Sequence, residues 1–133
     1  HHKMVELRQQ KVDIIANDIP KCKIYGKGQG DLLVVGWGGT HGAIRSAVES
    51  AQSEGLSISH LHLRHLNPLP KDLGEILVKF QKVMIPELNL GQLAMIIRSK
   101  FLVDVISLCK VQGKPFTTTE VYHKIAELIK DMK

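Results

Sequence analysis

Short apolar runs alternate along this chain with stretches whose apolar residues recur every three or four positions, the pattern of strands followed by amphipathic helices. Residues 32–37 form a continuous apolar run suited to a strand covered on both faces. Over residues 41–54, Ala43, Ile44, Ala47, Val48 and Ala51 share one helical side, and Gly55 marks the end. The next strand is predicted at 58–64. A helix then opens at Asp72, where Asp72 and Glu75 have capping-box spacing and Leu73, Ile76, Leu77 and Phe80 make the buried stripe. A strand at 83–85 leads to a helix over 91–102 that places Leu93, Ala94, Ile97 and Phe101 on one side. Met95, Ile96 and Leu102 make its other sides apolar too, and a helix greasy most of the way round needs two partners, which predicts a subunit or domain seam. The last strand is expected at 104–109. Thr117 and Glu120 then form a capping box, Phe116 and Val121 a hydrophobic staple, and the final helix carries Val121, Ile125, Leu128, Ile129 and Met132 on one face. With a short strand at 22–25 and a glycine loop through Gly26, Gly28 and Gly30 in front, the alternation implies an α/β fold, a three-layer α/β/α sandwich around a mostly parallel sheet.

A chain of 133 residues supports one core and is too short for two ordinary domains. Residues 3–17 are rich in helix formers, but Met4, Val5, Leu7, Val12, Ile14 and Ile15 give a broken stripe that needs another body to lie against. Residues 1–20 are therefore read as a leader helix from an upstream domain, with the folded unit over 21–133. The opening His1-His2-Lys3 fits a piece of a longer protein. The net charge of +5 comes from lysines scattered over nearly every segment, with few aromatics between them, which argues against a nucleic-acid partner. No apolar run approaches the roughly 20 residues needed to span a bilayer and no signal-peptide pattern is present, so the expected compartment is the cytoplasm, away from membranes. Cys22 and Cys109 are too few for a disulfide framework or for an iron–sulfur cluster, and are expected to be buried or idle thiols.

Three constellations could carry chemistry. Residues 36–42, Gly-Trp-Gly-Gly-Thr-His-Gly, sit where a strand turns into a helix, so Gly38, Gly39 and Thr40 could hold an anion on backbone N–H groups. The glycine spacing is wrong for a dinucleotide fingerprint, and a turn that lets helix and strand pack closely is the weightier reading. His60, His62 and Arg64 share one face of the third strand, with His65 just beyond. Histidines two apart can ligate a metal, but Arg64 disfavours a cation and no carboxylate lies near in sequence, so no metal is expected and an imidazole face in a polar seam is preferred. Glu87 and Asn89 close a strand just before a helix, where a lone carboxylate is more often a hydrogen-bonding or interface group than a general base. Ser57, Ser59 and Ser99 have no adjacent base, and no catalytic residue is assigned.

The run Gly30-Asp31-Leu-Leu-Val-Val-Gly36-Trp-Gly38-Gly39-Thr40-His-Gly42-Ala-Ile44, then His60-Leu-His62-Leu-Arg64-His65-Leu-Asn67-Pro68-Leu-Pro70, then Pro86-Glu87-Leu-Asn89-Leu-Gly91-Gln92-Leu closely resembles the carboxy-terminal part of the alpha subunit of 2-oxoacid:ferredoxin oxidoreductases, 2-oxoglutarate synthase in particular. Met4-Val-Glu-Leu-Arg8 and Gly113-Lys-Pro-Phe116 extend the likeness. More distantly, Leu63-Arg64-His65-Leu66-Asn67-Pro68-Leu69 is similar to a turn in the third domain of transketolase-like enzymes, which implies a five-stranded sheet with one antiparallel edge strand, the 22–25 segment. The resemblance implies a complex in which thiamine diphosphate, magnesium and an iron–sulfur cluster serve the oxidative decarboxylation of 2-oxoglutarate, ferredoxin takes the electrons and coenzyme A takes the acyl group. None of those cofactors is expected in this segment, and the family's thiamine-activating glutamate is not transferred to Glu87. The implied role is an assembly domain, inactive alone, that meets the beta subunit, the amino-terminal region of its own subunit and, in a homodimer, a second copy. Arg64, His65, Asn67, Glu87, Asn89, Gln92, Met95 and Ile96 are its expected interface. The alternative is a stand-alone anion or nucleotide-phosphate binding module using the 36–42 turn.

Overall fold

The computed structural model describes residues 18–88, 91–110 and 113–132. Residues 1–17 of the expected leader helix, and Asn89, lie outside them. Five strands form one sheet in the order β1-β3-β2-β4-β5, namely β1 Ile24–Tyr25, β2 Gly30–Trp37, β3 Ile58–Leu63, β4 Phe80–Glu87 and β5 Ile106–Cys109. β1 runs antiparallel to β3 at the edge and every other pairing is parallel, as the resemblance implied.

Helices cover both faces because the side-chain period of two sends alternate residues of each buried strand to opposite sides. Leu32 and Val34 of β2 pack under α1 His41–Ser53 and α4 Thr118–Asp131, through Ile44, Ala47, Val48, Val121, Ile125 and Ile129. Leu33 and Val35 face the other way, into Leu73, Ile76 and Leu77 of α2 Leu73–Leu77 and Leu93, Ala94 and Ile97 of α3 Gln92–Phe101. A single 3-10 turn over Gly38–Thr40 joins β2 to α1.

Local signals hold where they are self-contained. The Thr117 hydroxyl accepts from the Glu120 N–H at 3.1 Å while the Glu120 carboxylate accepts from the Thr117 N–H at 3.0 Å, the reciprocal capping box, and Phe116 and Val121 are both buried in the same cluster. The Asp72 capping box does not form. Asp72 is helical in backbone, and its carboxylate accepts instead from the Cys22 N–H at 2.9 Å, tying the chain ahead of β1 to the α2 side. Phe80 also leaves the predicted helix: α2 closes at Leu77, and Phe80 opens β4, paired with Gly30. Polar Gln81 and Lys82 hide that early start from a hydrophobicity reading, because ladder pairing with β2 rather than side-chain burial places them. Cys22 is half-buried, and desolvation followed by the hydrogen bond and charge of Asp72 pushes its thiol up to about 12, which keeps it inert. Cys109 ends β5 and is exposed rather than buried.

Candidate functional site

Because β2, β3, β4 and β5 are parallel, their carboxyl ends share one edge of the sheet, where open α/β folds place function. Two polar clusters stand there. At the end of β4, Glu87 is 0 % exposed. Its two carboxylate oxygens accept from the backbone N–H groups of Leu93 at 2.8 Å and Ala94 at 3.2 Å. Helix α3 has no side-chain cap of its own, for Gly91 precedes it at φ 80°. A carboxylate brought from the neighbouring strand satisfies amides that the first turn leaves open and complements the helix dipole. Glu87 is thus a buried structural cap, and its place in the expected interface is corrected: the side chain turns into the chain and presents nothing to a neighbour.

The second cluster stands at the ends of β2 and β3. His60 and His62 project to the α1 side, where His41, the first residue of α1, meets both, with ring centroids 5.3 Å and 4.9 Å away. Gly36, opposite His62 in the β2–β3 ladder, makes room for this. A Cβ there would stand 2.5 Å from Ile44 Cδ1 and 2.9 Å from Thr40 Oγ1. Arg45, one helical turn after His41, lays its guanidinium 3.8 Å above the Tyr25 ring and donates from Nε to His60 Nδ1 at 3.2 Å. His60 is fully buried, and desolvation, then the charges of Arg45, His41 and His62, hold its imidazole down to about 3, so it is neutral. His62 is lowered as well, first by burial and then by His41, Arg64 and Arg45. His60 Nε2 and His62 Nδ1 are buried without a hydrogen-bond partner.

Beside these rings opens a cavity of about 410 Å³, whose lining includes Lys21, Lys23, His41, Arg45, His62 and Arg64 and contains no carboxylate. The sequence-predicted pair His60 and His62 is therefore joined by His41, Arg45, Lys21 and Lys23, none of which was singled out from the sequence. No local pattern marks them. The crossover from β2 to β3 is what carries the start of α1 over the end of its neighbour strand.

The 36–42 turn itself offers little. Thr40 is nearly buried and its hydroxyl donates to the Trp37 carbonyl at 2.9 Å, so of the three expected anion-turn residues Gly38 and Gly39 alone are exposed. No group of three His, Cys, Asp or Glu side chains that could hold a metal exists among the described residues.

Residues 30–121 match the pyruvate:ferredoxin oxidoreductase core domain II family. The chain belongs to that family. It is 46% identical over 91% of its length to a 2-oxoglutarate oxidoreductase subunit from Mycobacterium tuberculosis, and 31% identical over 96% to the alpha subunit of a 2-oxoacid:ferredoxin oxidoreductase from Aeropyrum pernix. It spans only 18% and 21% of those two relatives. A solved 2-oxoglutarate:ferredoxin oxidoreductase from Magnetococcus marinus, with 2-oxoglutarate, coenzyme A and succinyl-CoA bound, superposes over 97% of this chain and 23% of that one, with a TM-score of 0.88 at 28% identity. A split-gene transketolase shares the fold with a TM-score of 0.62 at 17% identity.

The residues described do not fit the iron–sulfur cluster or the magnesium that such a family implies. Cys22 precedes β1 and Cys109 ends β5, at opposite edges of the sheet, too far apart to join one iron–sulfur cluster. The described carboxylates likewise gather into no magnesium site. What core domain II does present is an apolar surface on α3. Met95 is 64% exposed and Ile96 48%, and Leu102, just beyond the helix, is exposed as well. The other expected interface residues, Arg64, His65, Asn67 and Gln92, also lie on the exterior.

Proposed function

We propose that this chain is the carboxy-terminal assembly domain of the alpha subunit of a 2-oxoglutarate:ferredoxin oxidoreductase, a cytoplasmic enzyme that decarboxylates 2-oxoglutarate oxidatively to succinyl-CoA. The observation that carries the reading is the 46% identity, over nearly the whole chain, to a subunit named for 2-oxoglutarate. The TM-score of 0.88 to a complex holding 2-oxoglutarate and coenzyme A supports it. Thiamine diphosphate would be held elsewhere in the complex, and so would magnesium and the iron–sulfur cluster, for which the described donor sets are unsuited. This domain's contribution would be structural. Residues 1–20 would reach it from the preceding domain of the same subunit, with 21–133 as the folded unit. Arg64, His65, Asn67, Gln92, Met95 and Ile96 would face the beta subunit or a second alpha subunit, and ferredoxin would dock on the complex.

The apolar face of α3 is the part of that seam where a substitution says most, because its side chains contribute nothing to the internal core. Replacing Met95 and Ile96 together by glutamate in the full-length subunit should leave its own fold intact. It should also reduce recovery of the assembled complex on size exclusion, and 2-oxoglutarate-dependent ferredoxin reduction in parallel. A complex of normal mass and normal activity would refute the assembly role of this face.

A further inference from the structure

At the carboxyl end of β3, four permanently charged or strongly basic side chains converge from three separate stretches: Lys21 and Lys23 from the segment entering β1, Arg45 from α1, and Arg64 from the strand's end. They border a single cavity of about 410 Å³, within the size range of small-ligand sites. Among the described residues none of the four is paired with a carboxylate; the three ion pairs formed, Arg98–Asp104, Lys110–Glu120 and Lys124–Glu127, all lie elsewhere. Among the described residues the acidic group tied to the segment is Asp72, which is bonded to the Cys22 N–H and does not line the cavity. Like charges brought together without a counter-charge repel one another, and in a concave setting with apolar walls that field is focused rather than screened. A single anion would relieve all four at once. The His62 ring and the exposed His41 ring add hydrogen-bonding groups at the same wall.

We propose that this cavity binds a small polyanion of the phosphate class, with Lys21, Lys23, Arg45 and Arg64 as its charge partners and the imidazoles of His41 and His62 as hydrogen-bonding neighbours. Four cations suit the concentrated charge of a phosphate or diphosphate better than that of one carboxylate, and the guanidinium forks of the two arginines match its oxygen geometry. The site differs from a glycine-turn anion site, because its charge comes from side chains on both sides of β3 rather than from the backbone of residues 36–42. It shares Arg64 with the proposed seam, but no residue of the α3 face takes part, so the two readings are tested at different residues.

The test is hydrogen exchange read by mass spectrometry on the intact protein that carries this chain, titrated with inorganic pyrophosphate and separately with malonate. Pyrophosphate should slow exchange saturably in peptides covering residues 20–25, 41–46 and 60–66, while peptides of β4 stay unchanged and report that the fold is intact. The Lys23→Ser and Arg64→Ser double variant should raise the pyrophosphate concentration for half-protection by about tenfold or more. The single Arg64→Ser variant provides the same readout should the double variant lose its β4 protection. No protection at saturating pyrophosphate, protection that survives the substitutions unchanged, or equal protection by malonate would each overturn the assignment. The α3 substitutions should leave this protection unaltered, so a failure here and a failure of the assembly role are told apart.

Discussion

At the end of β4 a carboxylate is wholly enclosed and both its oxygens are bonded to amides of α3; at the end of β3, with β2 between them, cations and imidazoles gather round a cavity with no carboxylate. Both are polar residues at the same edge of one sheet, and from the sequence both look like site residues. The difference lies in whether the chain itself supplies the complement. Glu87 is needed to finish a helix and is consumed by that task, whereas Arg64 and its neighbours are left with charge to offer. A polar strand end is evidence of outward function only when its bonding capacity is not already used inside the fold.

The largest expected effect is at the satisfied end. Glu87→Ala leaves the Leu93 and Ala94 amides buried without acceptors and should cost about 3 kcal/mol, read as a fall in urea midpoint at constant slope. If Glu87→Ala were no less stable, the cap would be incidental and the contrast with β3 would collapse.

Acid should act on the other end. His60 titrates at about 3 in the folded chain against 6.5 for the ordinary imidazole, so between those values the unfolded chain binds the additional proton. The stability contributed is full above about pH 6.5 and is lost as pH falls toward 3. Urea midpoints measured across that window should drop steadily, and more shallowly in His60→Asn; identical slopes in the two proteins would show that His60 is not the buried neutral base described here.

Gly36→Ala tests the floor beneath the imidazoles. Its Cβ would press on Ile44 and Thr40, and the expected loss is about 2 kcal/mol, with the His41 and His62 resonances shifted because the ring packing moves with Thr40 and α1. The smallest effect belongs to Arg64→Ser, within about 0.5 kcal/mol of the parent by thermal unfolding, because the side chain is exposed and spends no bond on the fold. A large destabilisation there would mean that the β3 end is internally satisfied after all, and would erase the distinction.

Most of the architecture is legible in the sequence. The 41–54, 91–102 and 118–131 helices, the parallel strands and the Thr117 cap depend on residues within a few positions of one another, and periodicity reports such neighbours faithfully. The failures share one cause. Asp72 has capping-box spacing with Glu75, yet its carboxylate is claimed by the Cys22 N–H, 50 residues away in sequence. Phe80 continues a helical stripe in sequence, yet pairing with Gly30 draws it into β4. Glu87 is expected as a hydrogen-bonding or interface group, and the structure gives it the first role, buried, because its partners belong to the next helix.

The sequence by itself determined the layers, the order of strand and helix, and the kinship of the segment, since these rest on patterns repeated along the chain. Only the tertiary structure decided which polar groups remained available. Scattered lysines and arginines show no basic patch in one dimension, and become one only when the antiparallel edge, the α1 crossover and the tip of β3 are folded to a common point. Charge acts through space at a distance of a few ångströms, so its sum at a site is a property of the fold and not of any stretch of residues.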